Sequence, residues 1–295
     1  MNNSSNRSDE HSFLIDSVQL NNLKGQTVLI KYGGNAMIDD KAANHVFDQI
    51  AALYRYGIKP IIVHGGGPFI RKLLSNAGIK SVFIEGHRKT DEQMLEYVEM
   101  ALNGKVNGMI VKQLNIRGLH AVGLSGKDAA MVRARRRYHI SKKNREEIKT
   151  DIGFVGDVES VEPKLITLLL GQGYLPVIAP LGVGSDGQDY NINADMFAGH
   201  IAGALGCRAF IALTDVDGLM EDPKEPRSKI EKINSTQIKN GIGKTILGGM
   251  IPKVESSLIA LRNGVQRAHI INGMKPDTLL RELLSNERSG TCIVS

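Results

Sequence analysis

Apolar residues along this chain follow two rhythms that alternate from one end to the other. Short, continuously apolar runs rich in β-branched residues read as strands: TVLIKYGG (27–34), PIIVHGGG (60–67), AVGLSG (121–126), GFVGDVESV (153–161), YLPVIAPLG (174–182), RAFIALTDVDG (208–218) and AHIING (268–273). Runs that are apolar at consecutive positions fit strands covered on both faces. Between them, 40–55, 68–77, 91–115, 163–171, 195–205 and 252–263 carry apolar residues at helical spacing. This alternation predicts an α/β fold, a three-layer αβα sandwich around a mostly parallel open sheet. The rhythm breaks at 126–160, where polar strands without a helical period predict an antiparallel flap or hairpin on one edge. Glycines and Asp186 interrupt it again near 180–190, which divides the chain into two lobes of one continuous sheet, 24–182 and 183–295. Ahead of them, residues 1–23 form an extension. In it SFLIDSVQL (12–20) reads as a helix with Ser12 as N-cap and Leu14 and Val18 on one face.

The 295 residues, 42% hydrophobic and 23% charged, exclude wholesale disorder. Two cysteines, Cys207 and Cys292, supply neither a disulfide framework nor a zinc cluster. No run approaches the ~18–20 apolar residues of a membrane span. The polar first eleven residues, with Asp9 and Glu10, resemble neither a signal peptide nor an acid-poor transit peptide, so a cytoplasmic protein is expected. The net charge of +6 is local, because RARRRYHISKKNR (133–145) holds seven basic and no acidic side chains. Without it 30 basic residues face 31 acidic ones. The stretch reads as a solvated hairpin, with a phosphate-facing surface as the alternative. Its single aromatic, Tyr138, is a poor basis for nucleic-acid binding.

Among the glycine-rich turns, GVGSDG (182–187) matches a dinucleotide fingerprint and keeps a dinucleotide-dependent oxidoreductase open, but QDYNIN after it is no helix opening. GIGKT (241–245) lacks the first glycine of a phosphate-binding P-loop, since Ile238 stands in its place. HGGGP (64–68) has the look of a hydrolase oxyanion loop, yet no GxSxG nucleophile turn accompanies it. More telling, KYGG (31–34) and HGGGP both close the C-terminal ends of apolar strands, where open α/β sheets bind ligands. Pro68 suits a first helical turn, so Gly65, Gly66 and Gly67 offer bare N–H groups at a positive helix end. Lys31 lies inside an apolar strand and must reach a partner. Lys253 follows a glycine loop and Pro252 at a helix start, where a cation is unfavourable without an anion. Asp195, in NINAD, falls in the first-turn or N-cap position of the next helix. Two glycine loops, two misplaced lysines and a carboxylate to hold them are parts that phosphoryl transfer requires.

KYGGNAM, HGGGP, GHRKTDEQ, AVGLSGKD, GFVGDV, PVIAPLG, YNINAD, LTDVDGL and GGMIPKV, in this order and spacing, closely resemble the N-acetylglutamate-phosphorylating branch of the amino acid kinase family, over roughly residues 24–295. The resemblance implies ATP-dependent phosphorylation of the side-chain carboxylate of N-acetyl-L-glutamate in arginine synthesis, with Mg2+ carried by the nucleotide. It implies amino-acid substrate on the N-terminal lobe and nucleotide on the C-terminal lobe. Lys31 and Lys253 would flank the phosphoryl group and Asp195 would orient them. Gly33 and Gly34 would bind the phosphoryl, Gly66 and Gly67 the substrate, Arg88 its α-carboxylate, and Asn191 and Asn193 its remaining polar groups. Thr214, Asp215 and Gly218, with Lys253, would border the nucleotide. Glu85 and His87 depart from the family's NGLRVT-like run, which leaves a kinase of another N-blocked glutamate or aminoadipate as the alternative. HIINGMKPD replaces a HIIDGR-like turn. Arginine-inhibited members use an N-terminal helix to link dimers into a hexamer, so a homodimer or homohexamer is expected, with L-arginine as inhibitor beside His269, Glu282 and Gly290.

Overall fold

The computed structural model describes residues 13–84, 87–143, 146–222, 225–242 and 245–295. Its central sheet has eight strands in the order Lys232–Asn234, Thr291–Val294, Arg267–Asn272, Ala209–Thr214, Thr27–Tyr32, Lys59–His64, Leu175–Ala179 and Ala121–Ser125. The six from Arg267–Asn272 to Ala121–Ser125 run parallel. Thr291–Val294 is antiparallel to Arg267–Asn272, and Lys232–Asn234 runs parallel to Thr291–Val294. The mostly parallel sheet between two helical layers is the architecture that the strand and helix rhythm predicts.

Strand Thr27–Tyr32 shows how the layers arise. Successive side chains of a strand point to opposite faces. Val28, Ile30 and Tyr32 join a core with Phe47 and Ile50 of helix Asp40–Arg55 and Leu280 of helix Thr278–Leu284. Leu29 joins the opposite core, with Phe197 and Ile201 of helix Ala194–Ala204 and Val254 and Leu258 of helix Met250–Arg262. Lys31 follows Leu29 by two residues and therefore shares that second face. Strand order also reverses here, because the chain departs toward Lys59–His64 on one side and returns at Ala209–Thr214 on the other. Open α/β sheets bind ligands outside the carboxyl ends of their strands at such a point.

The two helices over Lys31 approach one another through glycine. A Cβ on Gly199 would lie 2.5 Å from the backbone oxygen of Ser256, and one on Gly203 would lie 2.5 Å from Asn263 Cβ. Any larger residue at either position pushes the helices apart.

Several expectations change. Residues 126–160 do contain an antiparallel hairpin, Val132–Lys143 with Glu146–Val161, but it leaves the central sheet. It closes with Leu181–Gly184 and Asp189–Ile192 into a small four-stranded barrel, so 153–161 is no strand of the main sheet. A barrel needs apolar side chains only at alternate positions, and Val132, Ala134, Val158, Tyr190 and Ile192 provide them. GVGSDG runs from a barrel strand into the tight turn of the Leu181–Gly184/Asp189–Ile192 hairpin, which removes the dinucleotide reading. At the N-terminus the helix is Ser17–Leu23, capped by Asp16, whose Oδ1 accepts from the N–H groups of Val18 and Gln19 at 2.7 and 3.3 Å. Leu14 precedes that helix, and Ser12 lies outside the described residues. The expected helix 91–115 spans Glu92–Glu99 and Gly108–Asn115 with a π-helical segment, Met100–Asn107, between them. Among the described residues no helix is long and apolar enough to cross a membrane.

The glycine contact gives a direct test. Gly199→Ala should lower stability in urea unfolding by roughly 1–3 kcal/mol through overpacking. Gly108→Ala, at an exposed helical position with nothing within 4 Å of the new Cβ, should instead raise it by up to about 1 kcal/mol. Equal effects from both would mean that the helices do not depend on the glycine.

Candidate active site

Helix Ala194–Ala204 is capped by Asn193, whose Oδ1 accepts from the N–H groups of Asp195 and Met196 at 2.9 and 3.2 Å. Asp195 is thus a first-turn residue and its carboxylate is free of capping duty. It lies 3.0 Å from Lys31 Nζ through Oδ1 and 3.4 Å from Lys253 Nζ through Oδ2. Oδ1 makes an ion pair but no well-directed hydrogen bond, so a buried acceptor remains open to a further donor. Lys31 and Asp195 are 6% and 7% exposed, which leaves two cations and one anion in a space almost without water. Burial alone would raise the Asp195 pKa, but the two ammonium groups outweigh it and hold it below the usual carboxylate range. Burial pushes the Lys31 pKa down, with Asp195 opposing and Lys253 adding to the effect.

The glycine turns make room for this cluster. A Cβ on Gly33 would come within 3.2 Å of Lys31 Nζ, and Gly34 takes a left-handed φ of 71°. Asn35, which the motif reading passed over, donates from Nδ2 to Asp215 Oδ2 at 2.7 Å and so ties this turn to the one after strand Ala209–Thr214. On the other side, a Cβ on Gly66 would lie 2.6 Å from Leu102 Cδ2 in the π-helical segment. His64 anchors the same turn. Its Nδ1 faces the Gly65 carbonyl at 2.9 Å and must carry the proton, while Nε2 accepts from Asn107 Nδ2 at 3.1 Å. Asn107 also donates to the carbonyls of Val177 and Leu124 at 2.9 and 3.2 Å. Desolvation pushes the His64 pKa down to about 4, against a smaller opposing effect of the Gly65 carbonyl, so the imidazole is neutral. The HGGGP motif does not show what His64 bonds, and Asn107 carries no local sequence signature, because their shared contact joins residues distant in the chain.

Arg88 is buried in the short hairpin Phe83–Ile84/His87–Arg88, hydrogen-bonded to the Ser81 hydroxyl and 4.6 Å from the Phe83 ring centroid. Glu85 lies outside the described residues. Asn191 sits on barrel strand Asp189–Ile192, and Asn193 spends its Oδ1 on the cap.

On the C-terminal side Thr214 ends its strand, and its hydroxyl donates to Asp215 Oδ1 at 3.3 Å. Gly218 has φ 124°, and a Cβ there would meet Thr291 Oγ1 at 2.5 Å. Asp215 and Gly218 border a cavity of about 460 Å³ walled by Val216, Leu219, Met220, Ile246, Leu247 and Met250. Its apolar walls suit a nucleobase and its polar lip faces the Lys31 turn. Asn272, on the same wall, donates to Asp217 Oδ1 at 2.8 Å, while Lys275 pairs with Asp217 Oδ2 at 2.6 Å. A carboxylate at 272 would face Asp217 with like charge, which accounts for NGMK where an aspartate-bearing turn was expected. Among the described residues no group of three or more His, Cys, Asp or Glu side chains is arranged to hold a metal ion.

His269, Glu282 and Gly290 are brought together apart from this cluster. The buried Glu282 carboxylate accepts from His269 Nδ1 at 2.8 Å and from the N–H groups of Ser289 and Gly290 at 2.8 and 3.0 Å, with Arg288 Nη1 at 3.4 Å. Burial would raise its pKa, but these donors bring it below the usual range. Gln19 and Asn22 of the N-terminal helix, His269, Glu282 and Arg288 line a cavity of about 40 Å³.

Residues 26–272 match the amino acid kinase family. The acetylglutamate kinase of Methanococcus maripaludis strain C7 is 45% identical over 270 residues, 91% of this chain and 92% of that one. Among solved structures, N-acetylglutamate synthase from Neisseria gonorrhoeae complexed with coenzyme A and N-acetyl-glutamate superposes with TM-score 0.79 at 22% identity. It covers 94% of this chain and 61% of that one. The same synthase with coenzyme A and L-arginine gives TM-score 0.76 at 20% identity over 94% and 63%.

The neutral state of His64 sets a pH dependence. Its folded pKa lies below the ordinary 6.5, so the unfolded chain binds the proton more tightly and stability falls as pH drops from 6.5 toward 4. The loss from this group is on the order of 3 kcal/mol. In urea unfolding at fixed pH, the advantage of wild type over His64→Gln should shrink by that order between pH 7 and 4. A constant difference would mean that His64 titrates normally.

Proposed function

The chain belongs to the amino acid kinase family, and we propose that its reaction is transfer of the γ-phosphoryl group of ATP to the side-chain carboxylate of N-acetyl-L-glutamate. The observation that carries this reading is the Lys31–Asp195–Lys253 cluster beneath two glycine turns. Two ammonium groups on one buried carboxylate, Lys31 buried and Lys253 partly so, leave a net positive charge that little water can solvate. An anion belongs there, and a transferring phosphoryl group has three equatorial oxygens to offer.

The attacking carboxylate, with a reference pKa of ~4.3, is already ionised at neutral pH, so no general base is needed. One carboxylate oxygen forms the new bond to phosphorus while the bond to the β–γ bridging oxygen breaks, giving N-acetyl-L-glutamyl 5-phosphate and ADP. No proton moves. Lys31 and Lys253 neutralise the transferring and leaving oxygens, and Asp195 keeps both ammonium groups oriented without touching the reacting atoms. Gly33 and Gly34 offer N–H groups to the phosphoryl, and Gly66 and Gly67 to the amino acid. Arg88 takes its α-carboxylate and Asn191 and Asn193 its amide. Thr214, Asp215 and Gly218 border the nucleotide, whose Mg2+ arrives with it. In this assignment residues 24–182 supply most of the amino-acid site and 183–295 the nucleotide site, in a cytoplasmic enzyme of arginine synthesis.

The kinship with acetylglutamate kinases favours the acetyl group over other N-acyl groups. An ATP-dependent assay that traps acyl phosphate with hydroxylamine, run with N-acetylglutamate, glutamate, aspartate and N-acetyl-aminoadipate, decides the substrate. Lys31→Ala and Lys253→Ala should each lower kcat by ~100-fold or more, as removal of one preorganised electrostatic stabiliser does. Near-normal turnover in both variants would sink the assignment.

We also propose L-arginine as an inhibitor bound beside Glu282. A synthase sharing this fold is known in complex with L-arginine, and here a buried carboxylate already holds the chain's own Arg288 guanidinium next to the N-terminal helix. Because the cavity is only about 40 Å³, an arginine side chain requires Arg288 to swing out before it can enter. Leu14 and Val18, 91% and 63% exposed, offer that N-terminal segment an apolar contact with a second copy, as a homodimer or homohexamer supplies. Arg288→Ala should therefore be inhibited at lower arginine concentrations than wild type, and deletion of residues 1–20 should relieve inhibition and reduce the assembly in light scattering. A wild-type kinase indifferent to millimolar arginine removes this proposal and leaves the kinase reading intact.

A further inference from the structure

A cation shared by two carboxylates ties together elements that are remote in sequence. Lys127 Nζ lies 2.7 Å from Glu99 Oε1 and 2.5 Å from Asp189 Oδ2. Glu99 ends helix Glu92–Glu99 and leads directly into the π-helical segment Met100–Asn107. Asp189 begins barrel strand Asp189–Ile192, and Asn191 follows it by two residues. Their side chains therefore share one face of that strand, while Tyr190 and Ile192 turn into the core. Burial opposes the charge on Lys127, but the two carboxylates outweigh it and raise its pKa.

The ammonium works from a fixed base. In the loop after edge strand Ala121–Ser125, Asp128 Oδ2 accepts from the Ser125 N–H at 2.6 Å, and a Cβ on Gly126 would collide with the Leu181 carbonyl and the Phe197 ring. The segment it holds is less closely backed. A cavity of about 330 Å³, lined by Glu99, Asn103, Asn107, Ser125 and Lys127, lies beside the π-helical segment, so close packing alone does not set where that segment stands. One end of the segment is pinned by the Asn107 bond to His64, and Leu102 and Val106 lie against Gly66. The other end is pinned by Lys127.

We propose that Lys127 is a positioning residue that sets the width of the amino-acid site, and through it the preference for a glutamate over a longer dicarboxylic side chain. This deepens the reaction proposed above and rests on it. In that reading the acceptor spans from the Gly66–Gly67 turn to Asn191, and the Lys127 clasp ties the segment that backs the turn to the strand that carries Asn191. A partly exposed ion pair adds little to stability. One ammonium with a carboxylate on each of two elements instead fixes a distance. A site of fixed width aligns the reacting atoms for one chain length, and a misplacement on the order of 1 Å costs about 100-fold in rate.

Glu99→Ala and Asp189→Ala each open one arm of the clasp and leave Lys127 a carboxylate, so neither strands an unpaired charge. Each should lower the ratio of kcat/KM for N-acetylglutamate to that for N-acetyl-aminoadipate by roughly tenfold, with the KM for ATP within about twofold. The double variant should match the single ones, because a clasp opens only once. Lys127→Arg, whose fork can hold both carboxylates, should keep the ratio near that of wild type. A purely structural ion pair would lower melting temperature and activity toward both acceptors alike. An unchanged ratio in the single variants therefore overturns the proposal, as does a wild type that takes both acids equally well or a double variant whose loss is the product of the two. Should wild-type protein yield no acyl phosphate from either acid, the reaction reading fails separately. Calorimetric titration of both acids into wild type and Asp189→Ala then decides the clasp. A preference that narrows in the variant supports it, and an equal preference or no binding of either acid overturns it.

Discussion

The rest of the structure is arranged around one carboxylate between two ammonium groups. A buried ion pair is a poor means of stabilising a fold, since removing two charges from water costs about as much as their attraction returns. A triad of two cations and one anion is worse, because one charge stays uncompensated. Its presence at the reversal point of the sheet is therefore intelligible as provision for an anion that arrives later. Lys31 reaches that position because it shares a strand face with Leu29, beneath the helices that carry Asp195 and Lys253. Those helices stay close enough for one carboxylate to serve both lysines because Gly199 and Gly203 remove the side chains that would separate them. Gly33 clears the space that the Lys31 ammonium fills.

That geometry also explains what was legible in the sequence and what was not. An ammonium inside an apolar strand is an anomaly that a single line of sequence displays, and Lys31 stood out for that reason. The parallel sheet was legible because strands buried on both faces are apolar at consecutive positions. The barrel was not, since its strands bury one face and the hairpin Leu181–Gly184/Asp189–Ile192 consists of two four-residue strands rich in glycine and polar residues. The division of labour between Asn193 and Asp195 was also hidden. Both residue types cap helices, and only the folded structure shows that the asparagine does so here and leaves the aspartate for the lysines. The π-helical segment was invisible because its apolar residues differ little in spacing from those of an ordinary helix. Yet the segment bears both Leu102, against Gly66, and Asn107, against His64. Asn35 and Asn107 are single polar residues whose meaning lies entirely in partners remote in sequence.

The glycine turns on the two sides of the central strand are held differently, and the difference follows from their neighbours. The turn after Lys59–His64 rests on a neutral imidazole locked by an asparagine that also bonds two strand carbonyls, so it is fixed from within a region that water does not enter. A charged residue in that place would add a further cation one strand from Lys31, and the depressed pKa of His64 prevents it. The turn after Thr27–Tyr32 is tied outward instead, by the exposed Asn35–Asp215 bond. Breaking that bond exposes no unsatisfied buried group, whereas breaking the His64–Asn107 bond does. Motion is thus cheaper at the turn after Thr27–Tyr32 than at the turn after Lys59–His64.

One unit of excess positive charge sits in the Lys31–Asp195–Lys253 cluster. That excess disfavours the free protein and is relieved by an anion. The carboxylate that must attack carries negative charge toward a phosphoryl group that is itself negative. A site with exact charge balance in the ground state would leave that mutual repulsion as part of the barrier. Cations held in excess by a rigid fold offset the repulsion at the point of closest approach, which is where their stabilisation counts toward rate. The instability written into the empty site is the same electrostatic free energy that lowers the barrier in the full one.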